Sequence, residues 1–168
     1  MDAQGSLLPD DRPDAREEGF QDEIRKRFPG IEIAALQFGM ADRAKAMAAT
    51  ENILTAHADL AGVFADNESS STGAVQALKS RGAKNVKLVA FDASDQLLAD
   101  LRAGWIDSIV VQNPFRMGYE ATRAVGLKLS GQTPPEKVDS GATLVVRENL
   151  EKPEIRELLF PDIQKYLR

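Results

Sequence analysis

The sequence contains no cysteine and only one histidine, His57. Without thiols the chain can form no disulfide, cysteine metal site or thiol nucleophile, and a single histidine cannot build a multi-histidine metal centre. Neither a G-x-x-x-x-G-K-[ST] loop nor a G-x-G-x-x-G turn occurs, which disfavours a nucleotide-dependent enzyme. The hydroxyl run Ser69–Thr72 has no accompanying histidine and acid, so it predicts a helix start and not a nucleophile. The sequence therefore implies no catalyst and no cofactor.

Long apolar runs and charge of one dominant sign are also missing. The longest apolar stretches, around Leu60–Ala65 and Ser108–Val111, fall far short of the roughly 20 residues that cross a bilayer, so membrane insertion is not predicted. The net charge is −5, and the basic residues are spread among acidic ones, which argues against nucleic acid as a partner. The acidic start, Met1–Arg12, has neither the basic residues nor the apolar stretch of a secretory signal.

What the sequence does contain is an alternation of short β-like runs and amphipathic helical runs. With 168 residues and 43% apolar content, the chain can bury one full core. The alternation predicts an α/β fold: a three-layer, Rossmann-like or flavodoxin-like parallel sheet with helices on both faces. We expect an irregular remnant over residues 1–13 and a single α/β lobe over residues 14–168.

The predicted strands are rich in Val, Ile, Leu and Phe. They are Ile31–Gln37, Ala61–Ala65, Val86–Phe91, Ser108–Val111 and Thr143–Val146. The first helix is expected to begin near Asp14 and to end before Pro29 and Gly30, with an apolar stripe facing a sheet. Further helices are predicted over Ala41–Ala56, Ser70–Arg81, Ser94–Ala103, Phe115–Leu129 and Glu154–Leu159, with Gly82, Gly104 and Gly131 as stops. Residues Gly131–Gly141 are expected to form a long surface loop.

Polar side chains follow three successive predicted strands. Asn67, Asp92 and Gln112 lie where ligands bind in open α/β sheets, beyond the carboxyl ends of the strands. Two amides and a carboxylate suit a polyhydroxylated ligand, which needs both donors and acceptors. The alternative for each residue is a helix N-cap or ordinary loop chemistry.

Arg16 is a fourth candidate, because the first turn of a helix disfavours a cation. A guanidinium can make bidentate bonds to sugar hydroxyls, while the alternative role is a surface ion pair with a nearby acid.

Several segments together resemble a known family. They are Arg16–Phe20, Ile53–Asp59 with Gly62–Asn67, Leu88–Asp92, and Ile109–Pro114 with Gly118. In order, they resemble the second half of ribose-binding-like periplasmic proteins, from about Pro13 to Asn149. The resemblance implies a type I, two-lobed protein that closes on a monosaccharide and presents it to an ABC permease from the periplasm. It also implies that Arg16, Asn67, Asp92 and Gln112 match the sugar contacts of the second lobe.

The sequence departs from that pattern, since it lacks a signal peptide, the first lobe and the strand expected before Arg16. One lobe cannot enclose a ligand, so we expect weak or undetectable sugar affinity for this chain alone. In the flavodoxin-like order the first strand is central. Either the remnant Ser6–Leu8 or a segment exchanged with a second copy, giving a homodimer, is expected to fill its place.

Two other functions remain open at this stage. An effector-binding domain of a lac-repressor-type regulator shares the fold, although no helix-turn-helix precedes this lobe. An enzyme could instead use Asp66, Glu68 and Asp92 as a carboxylate cluster around a divalent ion.

Overall fold

A computed structural model describes residues 15–166 of the chain. The chain divides into two compact units, one ending at Gln37 and the other beginning at Phe38. Ser6–Leu8 and Asp14 lie outside the described residues, so their predicted roles stay predictions. The division into a remnant over 1–13 and one lobe over 14–168 likewise stays a prediction.

The first unit contains helix α1, Ala15–Arg27. Its last turns carry pairs four residues apart, with Lys26 Nζ 2.9 Å from Asp22 Oδ2 and Arg27 Nη1 2.7 Å from Glu23 Oε1. Such pairs support a helix whose residues are not buried. α1 contains no buried residue, and the expected packing of its apolar stripe on a sheet stays a prediction. The predicted end of the helix before Pro29 is confirmed.

The prediction of a strand over Ile31–Gln37 is wrong, since this segment is irregular. Ile31, Ile33 and Leu36 are exposed. A strand satisfies its backbone groups only by pairing with a neighbour. None of the described strands pairs with this segment, so its composition alone does not produce a ladder.

The second unit alternates helices and strands. Its elements are α2 (Arg43–Ala56), β1 (Gly62–Phe64), α3 (Glu68–Arg81), β2 (Lys87–Phe91), α4 (Asp95–Ala103), β3 (Ser108–Gln112), α5 (Pro114–Leu129), β4 (Ala142–Val145) and α6 (Pro153–Leu159), followed by a 3₁₀ turn over Ile163–Tyr166. The described strands form one sheet in the order β1-β2-β3-β4. β1 runs parallel to β2, and β2 runs parallel to β3. The α/β fold class is confirmed.

The fourth strand corrects the expectation of an all-parallel sheet, because β4 pairs with β3 in the antiparallel direction. Gln112 at the end of β3 is opposite Ala142 at the start of β4. Helix α5 and the long loop after it return the chain to the carboxyl end of β3, so β4 must run back. Antiparallel edge strands are common on otherwise parallel sheets.

The core lies between one face of the sheet and helices α3 and α4. Leu88 and Ala90 on β2 and Ile109 on β3 are fully buried, as the twofold periodicity of a strand requires. Leu78 of α3 and Leu97 and Leu101 of α4 belong to the same cluster. Gly82 and Gly104 end α3 and α4 in the left-handed conformation, which confirms both predicted stops.

Candidate functional site

The carboxyl ends of the three parallel strands lie at one edge of the sheet. Gly62 of β1 pairs with Lys87 of β2, and Val89 of β2 pairs with Ser108 of β3. The three strands therefore run side by side in the same direction. Beyond the strand ends the pairing continues, since Ala65 N–H donates to Val89 O and Asp92 N–H donates to Val110 O, both at 2.9 Å. Three of the predicted site residues, Asn67, Asp92 and Gln112, therefore end or follow neighbouring strands. Their role in binding stays a prediction.

Asn67 is the N-cap of α3, as the alternative interpretation expected. Its Oδ1 accepts from Ser70 N–H at 2.9 Å. Its Nδ2 donates to Asp66 Oδ1, also at 2.9 Å. The cap holds the side chain in one orientation, and the amide nitrogen carries a second proton that a ligand can accept.

Asp92 is not a cap, because Ser94 is the N-cap of α4. Its backbone is in the left-handed region, at φ 60°. Residues other than glycine rarely adopt this conformation, which costs on the order of 1–3 kcal/mol and often occurs at functional sites. The conformation turns the chain sharply at the end of β2 and leaves the half-buried Asp92 at the carboxyl edge of the sheet.

Gln112 is the last residue of β3, and the cap of α5 is the next residue, Asn113. Gln112 therefore lies in a strand and not in the ordinary loop that the alternative expected. The half-buried Gln112 lies two residues after Val110, on the face of the sheet opposite Ile109 and Val111.

Arg16 lies in the first turn of α1, in the unit that ends at Gln37, and is half-buried. Its predicted contact with the same ligand as the strand-end residues stays a prediction.

Sequence reasoning missed a network around Glu68, in the first turn of α3. Arg43 Nη2 lies 3.0 Å from both carboxylate oxygens, and Thr72 Oγ1 donates to Oε1 at 3.0 Å. Burial acts to raise the pKa of the Glu68 carboxyl, but the hydrogen bonds that it accepts and the charge of Arg43 outweigh burial, so its pKa lies below the usual value. Ser94, the N-cap of α4, is also among the groups that lower this pKa. The network thus joins α2, α3 and the cap of α4 beside the strand ends.

In the described part of the chain, Asp66, Glu68 and Asp92 do not form a carboxylate cluster suited to a metal ion. Within residues 15–166, no group of three or more His, Cys, Asp or Glu side chains could hold a metal ion. The side chain of Glu68 instead turns to Arg43 and Thr72. The divalent-ion interpretation of Asp66, Glu68 and Asp92 is therefore not supported.

In the part of the chain that the structure describes, no helix has the length and apolar character needed to cross a membrane.

A largely parallel sheet flanked by helices, with polar side chains at its carboxyl edge, defines an open-sheet α/β protein. Residues 5–133 match the family model of the periplasmic binding protein domain, and the chain belongs to that family.

Relatives and solved structures agree with this assignment. The chain is 29% identical over 133 residues to the ribose import binding protein of Escherichia coli, covering 79% of this chain and 44% of the relative. A solute-binding protein from Agrobacterium vitis, bound with alpha-D-tagatopyranose, is 32% identical with a TM-score of 0.81, covering 85% of this chain and 48% of that one. One from Agrobacterium radiobacter, in complex with D-arabinose, is 31% identical with a TM-score of 0.79, covering 84% and 48%. The chain thus spans less than half the length of each relative, which fits one lobe.

Proposed function

We propose that this chain binds a monosaccharide at the carboxyl ends of β1, β2 and β3, as one lobe of a solute-binding protein that serves ABC-type sugar import. The observation that carries the proposal is the left-handed Asp92, which is not a helix cap and lies between the strand ends that carry Asn67 and Gln112. A carboxylate accepts strong hydrogen bonds from sugar hydroxyls, and the two amides both donate and accept. We assign Arg16 to the same ligand.

The partners and the location follow from the same proposal. Relatives that import or bind sugars favour transport over the effector domain of a lac-repressor-type regulator. We propose an ABC permease as the partner of the complete protein and the periplasm as its location. A binding lobe of this kind needs no catalytic group, and we propose that the chain is not an enzyme.

We expect Asp92→Ala to weaken sugar binding by about 10- to 100-fold, because it removes charge-assisted hydrogen bonds of about 1.5–3 kcal/mol. The measurement is calorimetric titration of the purified chain with a panel of pentoses and hexoses. The matched control is Asp59→Ala, the same change at an exposed residue before the amino end of β1.

Suppose that one sugar gives binding heat with the unaltered chain and with Asp59→Ala, but not with Asp92→Ala. That result would support both the ligand class and the role of Asp92. Equal heat in the two variants would contradict the role of Asp92. The absence of binding heat with every sugar of the panel would contradict sugar binding by this lobe alone.

We also propose that two copies can form a homodimer by exchanging a segment. The support is the stretch 31–37, whose Ile31, Ile33 and Leu36 are exposed and whose strand-like composition forms no strand among the described residues. Such stretches pair readily with another chain. Sedimentation at increasing protein concentration should reveal a dimer, and strictly monomeric behaviour would contradict the exchange.

A further inference from the structure

One fully buried hydroxyl on α3 joins the ends of two strands. Ser71 is 0% exposed. Its Oγ accepts a hydrogen bond from the backbone N–H of Phe91 at 2.9 Å. The same Oγ lies 3.3 Å from Phe91 O and 3.4 Å from Ala65 O, so its single proton can be donated to either carbonyl. The hydroxyl therefore contacts the last residue of β2 and the residue that follows β1.

The backbone that Ser71 contacts leads directly to the predicted sugar ligands. Phe91 precedes Asp92, and Ala65 lies two residues before Asn67. Asp92 is held on one side by its own N–H, which donates to Val110 O at 2.9 Å. The bond from Phe91 N–H to Ser71 fixes the preceding peptide group. Two hydrogen bonds therefore fix the peptide groups that lead into the left-handed Asp92, one at Asp92 N–H and one at Phe91 N–H.

The neighbouring hydroxyls act differently. Ser69 Oγ lies 3.3 Å from Oδ1 of Asn67, the cap of its own helix, and Thr72 donates to the Glu68 carboxylate on the same helix. Ser71 instead bonds the backbone of the strand ends. Any buried hydroxyl needs a hydrogen-bond partner; Ser71 differs from its neighbours because its partners are the backbone groups at the strand ends.

We propose that Ser71 is a positioning residue for the sugar site. Its hydroxyl sets the spacing between the ends of β1 and β2 and holds Asp92 in the left-handed conformation that presents its carboxylate to the ligand. This inference rests on the proposed function for the assignment of Asp92 and Asn67 as ligands, but the conformational part can be measured without sugar.

The test is Ser71→Ala in the isotope-labelled chain, followed by NMR. A left-handed residue has a short distance between its own amide and Cα protons. We expect this intraresidue NOE of Asp92 to weaken in Ser71→Ala, and the amides of Phe91 and Asp92 to exchange at least about tenfold faster relative to Leu88, because Phe91 N–H loses its acceptor. Where the chain binds a sugar, its affinity should fall about tenfold or more.

The matched control is Thr50→Ala, which removes another buried hydroxyl. Thr50 Oγ1 donates to Ala46 O within α2, at 2.9 Å, and bonds no strand end. A purely structural role for Ser71 would make the two variants alike: both less stable, with the Asp92 NOE and the sugar affinity of the folded protein unchanged. That result would overturn the inference.

Ser71→Cys provides a second variant should the alanine form fail to fold, since a thiol is of similar size and is only a weak acceptor. The sequence has no other cysteine, so no intramolecular disulfide can form. We expect the same changes at Asp92, with smaller amplitude, and an unchanged Asp92 would again overturn the inference. A wild-type chain that binds no sugar would instead contradict sugar binding by this lobe alone, while the NMR measurement would still decide the role of Ser71, which separates the two failures.

Discussion

Gly73→Ala is expected to lower the free energy of unfolding by about 3 kcal/mol, at the upper end of the cost of overpacking a well-packed contact. A Cβ on Gly73 would stand 2.6 Å from Arg43 O and 2.6 Å from Met47 N. Both are backbone atoms of α2, so no side-chain rotation can relieve the overlap. The alternative is a separation of α2 from α3, which gives up contacts along both helices.

Urea unfolding of Gly73→Ala and of the control Gly126→Ala measures this effect. Gly126 is also helical, but a Cβ there meets nothing within 4 Å among the residues described. Because alanine is the better helix former, the control should be unchanged or up to about 1 kcal/mol more stable. Equal unfolding midpoints for the two variants would contradict the close approach of α2 and α3.

Asp100→Ala should be the next most damaging of the substitutions considered, at about 2 kcal/mol, because it breaks a buried ion pair by removing one partner. The Asp100 side chain is 5% exposed and binds Lys79 of α3, while Gln96 Nε2 donates to its Oδ2 at 3.1 Å. The cost is below that of a fully buried pair, since Lys79 is 34% exposed and its ammonium group can reach water. Packing of α4 against α3 therefore depends partly on this carboxylate.

Thermal or urea unfolding checks the value, with Glu151→Ala as the matched control. Glu151 also pairs with arginines, Arg102 and Arg156, but its side chain is 65% exposed. An exposed pair contributes little, and the control should change stability by less than about 1 kcal/mol. A similar loss in both variants would mean that burial adds nothing to the Lys79–Asp100 pair.

The sequence was most informative where a pattern is local. The glycine stops at Gly82 and Gly104, the strands β2 and β3 and the positions of Asp92 and Gln112 all follow from short-range periodicity and turn chemistry. Parallel strands place their carboxyl ends at the same edge, so the assembly of the three polar strand ends also follows from the fold class. Asn67 shows the limit of this argument, since the same amide serves as a cap.

The structural features that the sequence did not predict depend on contacts between residues that are far apart along the chain. The stretch 31–37 has the composition of a strand, yet composition does not provide a neighbour to pair with. The direction of β4 depends on the path of the chain through the loop between residues 129 and 142. Ser71 lies in a run of hydroxyl residues, and the Arg43–Glu68 pair lies at a charged helix end. In neither place does the sequence indicate a contact with a residue 20 or more positions away.

The order of the strands bears on how the sheet can assemble. Within the described residues, each strand after β1 pairs with the strand that precedes it in the chain, so no strand has to be inserted between two that are already joined. Each strand pair forms by closing one loop of the chain, and the entropy lost in closing that loop grows only slowly with the length of the loop. The sheet can therefore grow from β1 towards β4 in the order in which a ribosome produces the strands.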